Sequence, residues 1–294
     1  MDSTEEEKEL IDKAVTYSNS LAAYYGSIKN IDLQRVFVLR EGAVMRQTDG
    51  DISGGVHNRF KQITGIERKV SPIAFAMSVV HESCHGASYS SAQILEDGTN
   101  RPYRQGISMR ERNGDNNYFK QAEEAIVTTF ARRFHDEILA NDPKYKLEID
   151  RTNEIKLWLT SYIKKKAPED KQRNFMNLVD DIIVLPNNKN LHKMVSNSSE
   201  DEDSVFGYFQ GFYQDDMKSG NIFRERSKER QIFDDILKRI SQQSGGTITK
   251  QELFDDFAKA HFTGNYIPLA KKIESIMGRG SFRSIAEELG VTKA

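Results

Sequence analysis

One cysteine, one tryptophan and six prolines among 294 residues leave few covalent or conformational staples. A lone cysteine excludes an internal disulfide, which agrees with a reducing compartment. No run approaches the roughly 18 consecutive apolar residues that a membrane-spanning helix needs. The opening MDSTEEEKEL has neither the basic start nor the apolar core of a secretory signal, so the default location is the cytoplasm, with export by another route as the alternative. A net charge of -2 gives no basic footprint for nucleic acid and no basic face for a membrane surface.

What is present suffices for a packed core. Apolar residues make up 37% and aromatics 10% of the chain, a composition of one or two globular domains rather than a disordered segment. Histidine is scarce at six residues, yet two of them stand in the pentapeptide His81-Glu82-Ser83-Cys84-His85. Positions i and i+4 of a helix share a face, so His81 and His85 can turn two imidazole nitrogens toward one zinc ion, with Glu82 facing the water beside it. The flanks favour a buried helix. Ser71 suits an N-cap, Pro72 a first turn, and Val79 and Val80 lead in from the apolar side. The bland alternative is a surface helix carrying two solvated imidazoles. Cys84 lies about 60° from the midpoint of the two His directions and reads as a packed small residue, not a ligand.

A catalytic zinc needs a third protein ligand and leaves its fourth position to water. The stretch from Asn116 to Leu139 repeats Phe119, Ala122, Ile126, Phe130 and Phe134 at helical spacing, which predicts a second amphipathic helix. Its apolar side carries Glu123 and Glu124, and a carboxylate set against a core requires a positive partner such as a metal. At 100° per residue Glu123 lies near the centre of the apolar stripe and Glu124 at its border.

The pair HESCH and EEAIVTTF resembles the two metal helices of the thermolysin-like gluzincin peptidases, whose second helix reads Asn-Glu-Ala-Ile-Ser-Asp. The resemblance covers roughly residues 71 to 139, under a quarter of the chain. Aligned on Ala125 and Ile126, it implies that Glu124 is the third ligand and puts Glu123 at the Asn position; Glu123 stays the alternative ligand on helix-face grounds. The family's Asp that orients a metal-bound imidazole is replaced by Thr128, a weaker acceptor, so part of that support must come from elsewhere. Between His85 and Glu124 lie 38 residues, with a strand or hairpin expected around Pro102 to Arg112.

The rest of the chain is read more coarsely. Glu5 to Tyr25 forms a helix with Leu10, Ile11, Ala14, Tyr17, Leu21 and Tyr25 inward. Arg35–Leu39 and Ala43–Gln47 are β-rich runs with a hairpin expected at Glu41-Gly42. Asp49 to His57 is Gly-rich and reads equally as a surface loop or as the edge strand that pairs with an extended substrate. After residue 140 the pattern is almost wholly helical, with breaks at Pro143, Ala167-Pro168 and Pro186 to Asn190. The acidic run Ser196 to Ser204 is a loop or linker without the spacing of a calcium loop. Domains follow as 1–195, a zincin-like catalytic part; 196–204, the linker; and 205–294, a helical C-terminal subdomain. The aromatic run from Val205 to Tyr213 reads as helix core. Ile285, Ala286, Leu289, Gly290 and Val291 echo the start of a helix-turn-helix, but no recognition helix follows, so this is expected to be a packing helix with a Gly cap.

These readings combine into an α+β fold, predominantly helical, with a small N-terminal sheet and two metal helices flooring a cleft. The expected activity is hydrolysis of a protein or peptide substrate with one zinc ion held by His81, His85 and Glu124. Glu82 is the general base, and Tyr103, Tyr118 or His135 is the oxyanion donor. The alternative is a non-catalytic zinc-binding regulator or scaffold. A host-directed effector would share the chemistry and differ in target.

Overall fold

In the computed structural model, residues 3–40, 42–44, 54–69, 71–112, 114, 116–166, 169, 172, 176, 179 and 227–290 are described. The fold is α+β and mostly helical, as the sequence implies. Helix α1 spans Glu5–Tyr24 and starts from a capping box in which Thr4 and Glu7 exchange hydrogen bonds. Its stripe of Leu10, Ile11, Ala14 and Val15 is buried against the next helix, α2, Pro72–Ala87. Ser71 caps α2 through its hydroxyl, which accepts from the Ala74 N–H at 3.2 Å, and Pro72 occupies the first turn. Apolar residues surround α2 on all sides, and only Pro72 and Glu82 in it escape full burial. Such a helix belongs at the centre of the molecule.

Two sheets flank it. The first comprises β1 (Val36–Leu39), β2 (Gly55–Asn58) and β3 (Ile63–Glu67) in the order β1-β3-β2. β1 pairs parallel with β3, and β2 pairs antiparallel with it. The hairpin expected at Glu41-Gly42 is therefore corrected. Ala43 and Val44 open a helical turn, and the Val44 N–H donates to Glu67 Oε1 at 2.6 Å. β1 finds its partner across the chain, which local turn chemistry does not reveal. The second sheet is an antiparallel meander of β4 (Ser90–Ile94), β5 (Asn100–Gln105), β6 (Ser108–Arg110) and β7 (Asn117–Tyr118). Its β5–β6 hairpin is the one expected around Pro102 to Arg112.

Helix α3, Lys120–Phe134, packs across α2 and runs on into a π-helical turn, His135–Leu139. The helices α4 (Pro143–Lys166), α5 (Ser227–Gln243), α6 (Lys250–Thr263), α7 (Ile267–Met277) and α8 (Ser281–Glu288) complete the described chain. One hydrophobic cluster runs from Leu10 through α2 and α3 to Leu289. The start of α3 rests on the end of α8: the Phe119 N–H donates to the Ala286 carbonyl at 3.0 Å and the Gln121 N–H to Leu289 at 2.9 Å. The negative end of one helix dipole thus meets the positive end of another. Gly290 is not the left-handed cap that the sequence suggests. It is small because a β-carbon there would stand 2.6 Å from the Asn117 carbonyl oxygen. The breaks at Ala167-Pro168 and beyond, the acidic run 196–204 and the aromatic run after it lie outside the described residues. No helix of the described residues is long and apolar enough to cross a membrane.

Candidate metal centre

The crossing of α2 and α3 brings together His81, His85 and Glu124, each offering one ligand atom within 4.8 Å of the others. Glu124 Oε2 lies 3.5 Å from His81 Nε2 and 3.8 Å from His85 Nε2. Donors around a tetrahedral zinc, bonded at about 2.0–2.1 Å, stand roughly 3.3 Å from one another, and the two distances from Glu124 exceed that by a few tenths of an ångström. The other oxygen, Glu124 Oε1, is held by Lys120 one turn earlier. Glu124 therefore turns a single oxygen toward the imidazoles.

Glu123 does something different from what its helix face suggested. Its Oε1 lies 3.0 Å from His85 Nδ1, on the side of the ring away from the cluster. Its Oε2 accepts from the Ile107 N–H at 3.0 Å and lies 2.9 Å from His261 Nδ1. The positive partners of this buried carboxylate are two imidazoles. Burial disfavours the charged form of Glu123, but His261 and His85 outweigh it and carry its pKa far below the usual carboxylate value. Burial likewise opposes a charged His85, yet the hydrogen bonds from Glu123 and Glu124 prevail and push its pKa up to about 9. At His81 burial wins, and the pKa falls despite Glu124. One carboxylate and two imidazoles in a buried setting form a donor set suited to a dication.

Glu82 follows His81, is only partly buried, and has no hydrogen-bond or ion-pair partner among the described residues. It lies against β2, where Gly55 leaves room for its side chain. Two residues on, His57 packs beside Gly86 and holds Nδ1 2.9 Å from Thr64 Oγ1. Burial lowers the His57 pKa to about 4 and keeps the ring neutral. Cys84 points away from the cluster, with its sulfur 3.8 Å from Ser18 Oγ of α1.

Compared with known families, curated proteins and solved structures, the chain matches none.

Thr128 does not take the supporting role expected of it. It is fully buried, and its hydroxyl has no hydrogen-bond partner among the described residues, whereas the His85 ring is held by Glu123. The three oxyanion candidates have contacts elsewhere. Tyr103 lies under the Arg112 guanidinium, Tyr118 of β7 stands opposite Met109 of β6, and His135 binds Asp136 roughly 16 Å along the helix from Glu124. Sequence reasoning missed His57, Gly55 and His261. Gly55 and His57 lie in the Gly-rich stretch left open between loop and strand. His261 sits on α6 with no local motif to mark it. A separate cavity lined by Arg132, Arg133, Lys250 and Phe254 includes none of the cluster residues.

Proposed function

We propose that this protein is a zinc-dependent peptidase of the gluzincin-like kind, with His81, His85 and Glu124 as ligands and Glu82 as general base. The observation that carries the reading is the placement of Glu82. It follows one ligand of a three-donor cluster, is unpaired among the described residues, and is one of the two residues of a buried helix that are not fully buried. A purely structural site needs no such base. When bound, zinc would lower the pKa of a water and polarise the scissile carbonyl. Glu82 would accept that water's proton and return it to the leaving amine. Glu123, as acceptor only, keeps the His85 Nδ1 proton in place, so that Nε2 is the nitrogen that would give up its proton to the ion.

The edge strand supplies a substrate track. Among the described residues β2 has a neighbour on one side only, and Gly55 of β2 touches Glu82. An extended peptide adding to that edge would pass beside the base, which favours protein or peptide substrates. A cytoplasmic location belongs to the same reading and rests on the single free cysteine.

A second reading, a zinc-binding regulator without turnover, draws on the burial of the donors: His81 and His85 are 8% exposed and Glu124 5%. Turnover of casein and peptide libraries, before and after chelation and after zinc is restored, separates the two. Zinc-restored cleavage supports the peptidase; bound zinc with no cleavage of any library supports the regulator. Profiling of new termini in a cell lysate, wild type against Glu82→Gln, then names the substrates.

A further inference from the structure

His261 lies 138 positions from Glu123 in the chain, yet the two side chains meet in the core at 0% and 1% exposure. A carboxylate only accepts hydrogen bonds, so the His261 proton facing it sits on Nδ1. The other ring nitrogen, Nε2, is buried and reaches no polar group among the described residues, so the Glu123 contact is the polar function of this ring. Three donors then divide the two oxygens of Glu123. His261 and the Ile107 N–H take Oε2, which leaves Oε1 to His85. With both oxygens engaged the carboxylate cannot rotate, and the His85 ring is fixed with Nε2 toward the cluster.

The surroundings are built around this pair. The β5–β6 turn passes over it at Gly106, whose φ is +56 and where a β-carbon would collide with both Glu123 Oε2 and His261 Nδ1. The Tyr89 N–H, just beyond α2, donates to the His261 carbonyl at 3.1 Å, and the Gly106 N–H donates to the Tyr89 carbonyl at 2.7 Å. Arg104 stacks between the rings of Tyr89 and Tyr266 and donates to the Gly264 carbonyl at 2.9 Å, pinning the end of α6.

We propose that His261 is a positioning residue for the metal centre: acting through Glu123, it sets the orientation and tautomer of His85 and so ties zinc affinity to the C-terminal helices. The proposal rests on the zinc reading for its consequence but not for its geometry. Three variants test it. His261→Leu fills the space without a donor, while His261→Asn places an amide N–H close to the lost Nδ1; His261→Met serves as the donor-free variant where Leu does not fold. Zinc affinity is measured by competition with a chromophoric chelator, and the melting temperature of the metal-free protein reports on packing. The His85 tautomer is read in metal-free protein from histidine 15N spectra at a pH above the His85 value of about 9, where the ring is neutral, its signals assigned by their loss in His85→Gln.

The donor-free variant should bind zinc about 10-fold more weakly and show a mixed His85 tautomer, with Asn close to wild type in both. Wild-type affinity and tautomer in the donor-free variant would overturn the proposal. So would an Asn variant that falls as far as Leu. A wild type that binds no zinc would sink the metal reading alone, because the tautomer comparison still decides whether His261 acts on His85.

Discussion

Gly55 sits so close to Glu82 that a β-carbon on it would stand 2.8 Å from Glu82 Cγ and 3.3 Å from Cδ. The edge strand and the candidate base are therefore in contact, and the missing side chain makes that contact possible. Gly55→Ala should push Glu82 aside, since Ile66 Cδ1 at 3.1 Å blocks the other escape. Zinc content should stay at the wild-type value while peptide turnover falls at least about 10-fold, the cost of misplacing a proton acceptor. Unchanged turnover in Gly55→Ala would mean that Glu82 does not act from this position.

Metal content discriminates between the two adjacent carboxylates. Purified protein should carry about one zinc per chain, and His81→Ala, His85→Ala and Glu124→Gln should each lose it, because each removes one bond from a three-ligand set. Glu123→Gln should keep the ion but hold it roughly 10- to 100-fold more weakly, as expected for a residue that orients a ligand. Elemental analysis with chelator competition reads both. Loss of all metal in Glu123→Gln with full retention in Glu124→Gln would reverse the assignment.

Cys84 gives a control within the motif. Burial pushes its thiol up to about 12, so native protein should resist maleimide at neutral pH and react only when unfolded. Cys84→Ala should leave zinc content unchanged, because the sulfur points at Ser18. Metal loss in that variant would show the ligand set to be wrong.

How far the sequence reaches depends on whether a feature is local. The α2 helix was legible because Ser71, Pro72 and the His81/His85 spacing sit within one segment, and α1 because its apolar stripe is periodic. The tension between Glu123 and Glu124 was also legible: the centre of the stripe did demand a positive partner. The partner itself was not, because His261 arrives from a helix 138 positions away, and nothing around it signals the contact. Thr128 stands one turn after Glu124, where the resemblance puts the supporting acceptor, yet the chain supplies that support from Glu123, the residue before Glu124. The Glu41-Gly42 hairpin failed for a related reason: β1 pairs parallel with β3, and the turn residues carry no trace of that partner.

Arg68 grips Glu7 with two hydrogen bonds, at 2.6 and 2.7 Å, and fastens α1 to the end of β3. The hydrogen bond from Arg68 lowers the Glu7 pKa from its ordinary 4.5, with burial opposing. The folded protein thus binds this proton less readily than the unfolded chain. The contribution is present in full above pH 4.5 and is lost as pH falls through the lowered folded value. Glu7→Gln should cost about 1 kcal/mol at pH 7, for a partly exposed pair, and the difference from wild type should shrink toward zero in strong acid. Urea denaturation across that range checks it; a difference that grows on acidification would contradict the sign.

The most direct test of the peptidase assignment is the rate of peptide-bond cleavage by Glu82→Gln compared with wild type at equal zinc occupancy. The amide can still hydrogen-bond water but cannot take its proton, so turnover should fall by roughly 10²- to 10⁴-fold while zinc stays bound. Cleavage at the wild-type rate with the ion in place would show that Glu82 is not the base, and the proposed reaction would fall with it.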